Sequence, residues 1–402
     1  MADRSKIEWT EASWNPIRAA NKATGRDGHF CVHVSEGCRN CYAERMQARF
    51  GNPVRFAAQD RDKVQVFLHE TALTQPLRWK RPRRIFPCSM TDIAGDWVVD
   101  EMLDRMFAVM ALTPWHTYQV LTKRPDRMRA YLQSPDRIRR IYGTACDLAL
   151  ETDTQVVLIA PGVDPSLAPP GPRVHLDLWP LPNVWLGTSV EDQLSADVRI
   201  PELLSTPAAV RWISAEPLLG PMDVSRFVPR ERFYMMKCEH CGWVGSTEHA
   251  REARNGDDAD VVCGGCGKIT LADEASGLDW VVAGGESGPK ARPMHPDWAR
   301  SLRDQCAAAG VPFFFKQWGE HCPAELIDDD RPEPWRRHQN GAPDGWGLAE
   351  LDTPREDLRR VAFYAIGKKA AGRLLDGVAH NGYPEVPPRA QHAPNNPARE
   401  AV

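Results

Sequence analysis

The sequence predicts an α/β protein: a full or partial parallel (β/α) barrel, TIM-barrel-like, with an inserted zinc-ribbon module. Three features argue for it. Short apolar or β-branched runs recur along the chain, several of them separated by segments of helical spacing. Each run ends in polar residues, as strands of a parallel sheet do where they leave the core. One stretch, 228–278, breaks the pattern and carries two CxxC pairs instead.

In order, residues 5–18 read as an extended lead-in with Trp9 and Trp14, ended by Asn15-Pro16. A polar segment with three cysteines follows at 31–41. It runs into 42–50, whose spacing puts Met46 and Phe50 on one helical face. The apolar runs are 84–92, 117–123, 184–189, 210–216, 279–287 and 311–317. Helical segments are predicted at 102–111, 126–132 and 297–309. With right-handed crossovers, six or seven such units curl into a full or partial barrel. The expected division is a discontinuous barrel of residues 1–227 and 279–376, the module 228–278, and a loosely ordered tail 377–402 rich in Pro, Asn and Ala. The proline-rich stretch 160–183 reads as a surface loop.

Composition narrows the function. Hydrophobic residues make up 42% of the 402, enough for a large core, and the net charge of −4 argues against a strongly basic nucleic-acid coat, while leaving room for a local basic groove. No run of eighteen apolar residues suggests a membrane span, and the N-terminus lacks the apolar core of a secretory signal. Seven of the eleven cysteines are clustered, and Cys88, Cys146, Cys306 and Cys322 are scattered. Clustering without an export signal favours metal thiolates over disulfides, and a cytoplasmic location is expected.

Cys238, Cys241, Cys263 and Cys266 have the spacing of a closed tetrahedral zinc site, with Gly242 and Gly267 following each pair. The polar segment between them cannot fold on its own apolar content, so zinc would supply stability. A structural role is the plainer reading. A nucleic-acid or protein contact through Lys237, Trp243 and Arg254 is the other.

Cys31, Cys38 and Cys41 have gaps of six and two residues. Three thiolates can hold a thiophilic centre and leave one position open. Four readings remain: an iron–sulfur cluster with one open iron, a zinc site completed by His33 or another residue, a redox dithiol at Cys38/Cys41, or buried cysteines together by coincidence. Cys38 and Cys41 are expected near a helix start, where the dipole favours thiolate. The polar strand ends (Ser89/Thr91/Asp92, Thr122/Lys123/Arg124, Thr188/Ser189/Glu191/Asp192, Ser214/Glu216, Glu286/Ser287 and Lys316/Gln317) would share one edge with this loop. The bland alternative is that strands turn polar at any surface.

Further motifs carry a resemblance. Trp14-Asn-Pro16, the three-cysteine segment with Tyr42-Ala-Glu44, Leu121-Thr-Lys-Arg-Pro125, Trp185-Leu-Gly-Thr-Ser-Val-Glu191, Ile213-Ser-Ala-Glu-Pro217, Gly284-Gly-Glu-Ser-Gly288 and Phe315-Lys-Gln-Trp-Gly319 stand in that order, followed by Gly367 to Gly377. Together they resemble a phage and bacterial three-cysteine-motif family related to radical S-adenosylmethionine (SAM) enzymes. The resemblance implies a partial (β/α) barrel with a [4Fe-4S] cluster on Cys31, Cys38 and Cys41. SAM would bind the open iron and, with an electron donor, give a 5′-deoxyadenosyl radical. It implies adenine packing near Tyr42, and SAM or substrate contacts from Ser189, Glu191, Ser214, Glu216 and Glu286. Lys123 and Arg124 would meet the SAM carboxylate or a phosphate. Most such enzymes space their first two cysteines by three, whereas here the gap is six. The phage association and the zinc module point to a nucleic-acid base or nucleotide as substrate. The rival is a non-catalytic zinc protein that binds nucleic acid or a partner protein.

Overall fold

The computed structural model describes residues 5–49, 52–154, 180–228, 277–324 and 363–385, and the backbone of six short strands in the gaps at 155–179 and 229–276. Its centre is a seven-stranded sheet: β1 (Ala12–Trp14), β2 (Arg84–Pro87), β3 (Thr117–Thr122), β4 (Val184–Ser189), β5 (Val210–Ala215), β6 (Trp280–Gly284) and β7 (Phe313–Gln317). The strands lie side by side in chain order, and every neighbouring pair is parallel. The sheet curls into a half-barrel, which settles the full-or-partial question in favour of partial. All six apolar runs became strands because residues buried on both faces leave no polar alternation to obscure the signal.

Helix α1 (Tyr42–Arg49) lies against the loops after β2 and β6. Helices α2 (Asp100–Leu112), α3 (Pro125–Leu132), α4 (Arg137–Thr152), α5 (Gln193–Leu204) and α6 (Pro296–Ala308) cover the convex face. Ile85, Tyr118, Val120, Ile213, Val281 and Phe315 point into this layer, against Leu103, Phe107, Ile200 and Leu302. Alternate residues face the concave side, where Trp9, Phe86, Trp185, Trp212, Trp280, Val282 and Phe314 form a second core. There Trp9 packs edge-on to Trp212 at 5.1 Å, and Trp212 lies 5.1 Å from Trp280.

The chain's far end returns to this core. His380 and Gly382 pair with the free edge of β7, through Phe315 N to His380 O and Gly382 N to Phe313 O, each 3.0 Å. Tyr383 then stacks on Trp280 at 5.1 Å and takes the Arg84 guanidinium at 4.4 Å. These residues fall within the stretch expected as a tail, and 386–402 lie outside the described residues.

A small sheet and helices α4 and α5 were not foreseen. Asn15-Pro16 does end β1, but Ile17–Asn21 then pairs antiparallel with Asp27–Gly28 and Val64–Leu68 in a separate small sheet. Helix α5 was hidden by its internal Pro201 and starts on a reciprocal cap: Asp192 accepts from Ser195 N at 2.8 Å, and Ser195 Oγ accepts from Asp192 N. Asp192→Ala should therefore cost about 1 kcal/mol in a denaturant titration. The four cysteines expected to hold zinc (Cys238, Cys241, Cys263 and Cys266), and most of the proline-rich stretch, lie outside the described residues. They fall on the β5–β6 and β3–β4 connections. Among the described residues, no helix is long and apolar enough to cross a membrane.

Candidate functional site

The C-terminal ends of the seven strands form an edge of paired charges. Just beyond β2, Asp92 is 8% exposed; it accepts from Thr122 Oγ1 at 2.5 Å and Lys123 N at 3.0 Å, and pairs with Arg124 at 3.0 Å. Beyond β4, Glu191 is 1% exposed and is held by Lys123 at 3.2 Å and Arg199 of α5 at 2.9 Å. After β5, Glu216 takes two bonds from Lys316 Nζ, at 2.6 and 2.8 Å. After β6, Glu286 takes Arg292 Nε at 2.9 Å and Nη2 at 2.8 Å. A carboxylate buried here is tolerable only with such a partner.

Burial acts to raise the pKa of Glu191, but the positive charges of Lys123 and Arg199 outweigh it and hold the carboxyl below its ordinary value. Glu286 is likewise lowered: burial opposes, and hydrogen bonds from Arg292 and Asn40 prevail.

The cysteine segment lies over this edge. A Cβ on Gly37 would stand 3.2 Å from both the Glu191 carboxylate and Lys123 Nζ, so glycine permits the loop's close approach. Asn40 Nδ2 donates to Glu286 at 3.1 Å and to Lys290 O at 2.8 Å. Arg292 Nη2 reaches Glu36 O at 3.0 Å, and Arg124 Nη2 reaches Val32 O at 3.1 Å. The loop is thus fastened at both ends by the groups that neutralise the strand-end carboxylates.

The three thiols are half-buried and not disulfide-bonded. The charge of Cys41 acts on Cys31, and that of Cys38 on Cys41. Burial, then the nearby Asp92 carboxylate, pushes the Cys31 thiol up to about 12, against the opposing pull of Arg124. Cys41 precedes α1, and the amides of Ala43 and Glu44 favour its thiolate, as the helix-start argument expects; burial is nevertheless the larger effect and raises its pKa. That part of the expectation is corrected: at Cys41 desolvation outweighs the helix end. Cys88, on the left-handed backbone (φ 58°) just after β2, is buried and also raised, by burial and then Asp92.

Among the described residues, no group of three or more His, Cys, Asp or Glu side chains is gathered as a metal ion requires. The donor set itself, three thiols on one loop, has the chemistry of a thiophilic cluster with an open position. His33, considered as a zinc ligand, pairs instead with Glu44 at 3.1 Å.

The other expected residues fall as follows. Tyr42 leaves 46% of its surface open, while its hydroxyl, raised by burial, donates inward to Ser89 O. Ser189 and Ser214 are register partners on β4 and β5, both buried. Their carbonyls accept from Arg199 at 2.7 Å and Val190 N at 2.9 Å. Lys123 and Arg124 are committed to Glu191 and Asp92. Sequence reasoning missed Arg199, Arg292 and Asn40. Their only local signal was position, eight residues after Glu191 and six after Glu286 for the two arginines.

The family described as "Protein of unknown function (DUF5131)" matches residues 4–384. No curated protein and no solved structure matches the chain.

Proposed function

The chain belongs to the DUF5131 family, and we propose that it is a radical SAM-type iron–sulfur enzyme acting on a nucleic-acid base or nucleotide. One observation carries the reading: a single loop with three thiols lies over the C-terminal edge of a half-barrel whose strands run parallel and in chain order. Cys31, Cys38 and Cys41 would hold a [4Fe-4S] cluster, with SAM at the open iron. When bound, that pair supplies one-electron chemistry that removes a hydrogen atom from a substrate.

The chain's own residues do the rest. The tryptophan layer on the concave face closes the barrel from below and keeps water out. Tyr42 offers a ring face beside the thiols for adenine. Glu191, Glu216 and Glu286 keep their cations in place, so a ligand amino or carboxylate group would enter by exchanging one partner of a pair. Ser189 and Ser214 line the adjoining strand ends. Cys31 would have to give up its proton on metal loading, which couples assembly to pH. Cys238, Cys241, Cys263 and Cys266 would carry one zinc ion. The substrate class rests on that zinc spacing and on the sequence resemblance.

Anaerobic loading with iron and sulfide should give a brown protein that releases 5′-deoxyadenosine from SAM when reduced with dithionite. Cys38→Ala should lose the iron and the nucleoside, while its folding stability stays within about 1 kcal/mol of the parent, as for a change in a surface loop. A colourless protein holding zinc alone, with no nucleoside released, overturns the proposal and favours the non-catalytic zinc-binding reading.

A further inference from the structure

We propose that the collar beside the three thiols binds the phosphate backbone of a single-stranded nucleic acid. The proposal deepens the reading above and rests on it for the purpose of the surface. The residues are Arg39 on the cysteine loop, Tyr42, Arg45 and Arg49 on α1, and Lys290 after β6. Positions 42, 45, 46 and 49 share one face of α1. Arg39, Arg49 and Lys290 are exposed and Arg45 half-buried.

Contacts hold these elements together. Arg45 donates to Pro289 O at 3.0 Å and to Ser287 O at 3.3 Å, and Asn40 ties Lys290 O to the loop. Lys290 is a left-handed non-glycine residue (φ 64°) at the turn that carries its ammonium outward. Such backbone strain persists where the surroundings hold it, and it concentrates at functional sites.

Charge identifies the occupant. With Arg292, the collar sets five cations against four carboxylates, Glu36, Glu44, Glu286 and Glu320, in a chain whose overall charge is −4. Glu36 pairs with Arg39 at 2.8 Å and with Arg292 at 3.4 Å, Glu286 is 7% exposed and committed to Arg292 and Asn40, Glu44 is paired with His33, and Glu320 accepts from Gly288 N. Among the described residues Arg45, Arg49 and Lys290 pair with no carboxylate, and they give the outer surface its positive excess. Tyr42 adds an open ring among these cations. A cationic track with an exposed aromatic ring is what a strand of unpaired bases needs: phosphates on the cations and a base on the ring. With no SAM bound, whose adenine would take the same ring, a base stacked on Tyr42 would stand beside Cys41, its chain neighbour. A folded protein partner would want a continuous apolar centre; the large apolar side chains exposed nearby, Val34 and Met46, are separated by charges.

The test is fluorescence anisotropy of a labelled single-stranded DNA of about 12 nucleotides, against a duplex of the same sequence, over a range of salt. The protein carries no added iron or SAM. The wild type should prefer the single strand. Arg49→Gln/Lys290→Gln should weaken binding roughly 25-fold at about 0.1 M salt and flatten the log–log salt slope by about 1.4, two phosphate contacts' worth. Tyr42→Leu should weaken binding while leaving the salt slope unchanged. Lys80→Ala/Arg81→Ala, exposed cations at the opposite end of the sheet just before β2, should bind like wild type.

No binding at low salt, a preference for duplex, or loss of binding in the Lys80/Arg81 variant instead of the collar variant would each overturn the proposal. So would an acidic ferredoxin-type protein binding the wild type but not the collar variant while the oligonucleotide binds neither. Because binding is read without the cluster, a protein that grips the oligonucleotide yet stays colourless after separate anaerobic loading with iron and sulfide sinks the radical reading alone.

Discussion

Glu191→Ala should lower folding stability by about 3–5 kcal/mol at neutral pH, measured by chemical denaturation. The carboxylate is 1% exposed, and the side chains of its partners, Arg199 and Lys123, are 10% and 18% exposed. Removing it leaves two positive groups facing each other with little water to screen them. Glu191→Gln keeps the hydrogen-bond acceptor and should cost less. The pH dependence has a definite sign. The folded-state pKa lies below the ordinary glutamate value of about 4.3. The stabilisation is thus complete above that value and is lost as pH falls through the folded pKa. The gap between wild type and Glu191→Ala should be full at pH 7 and should shrink only as the pH falls below the ordinary glutamate value. A constant gap would mean that packing, and not charge, holds this position.

Gly285→Ala should be comparably severe, about 3 kcal/mol or more, at the upper end of overpacking costs. A Cβ there would lie 1.9 Å from Trp318 O, and backbone cannot rotate away as a side chain can. Gly319 makes the reciprocal approach: with φ 85°, its added Cβ would stand 2.1 Å from Glu286 O. The two glycines let the segments after β6 and β7 touch, and that contact sets where Glu286 meets Arg292 and Asn40. The variant should therefore also free the cysteine loop, seen as faster reaction of Cys38 with a thiol reagent. Gly310→Ala is the control. It shares a positive φ of 66° but has nothing within 4 Å, and should cost about 1 kcal/mol without changing thiol reactivity.

The sheet was legible because its strands are buried on both faces. Val184–Ser189 was read to the residue, and the others to within a few positions at their ends. Helix α4 was missed since Gly143 and Thr144 interrupt its apolar stripe, and α5 since Pro201 lies within it. The strand-end position of the site was legible too, because parallel strands in chain order bring all their polar ends to one edge. The partners of those residues were not legible. Lys316 is 100 residues from Glu216, and Lys123 is 68 from Glu191. Distances of that kind are set by the curl of the sheet and leave no local pattern. At Cys41, burial is a property of the folded neighbourhood, and it reverses what the helix start alone suggests.

The strap formed by His380, Gly382 and Tyr383 has a consequence for biosynthesis. Trp9 is made about 200 residues before its neighbour Trp212 and earlier still than Trp280, and Tyr383, which stacks on Trp280, follows it by about 100 more. Until then, a nascent chain carries a set of greasy indoles with no lid. Such a chain should depend on chaperones during translation, and a version halted before the last strand should be cleared by proteases instead of accumulating as a smaller, working fragment.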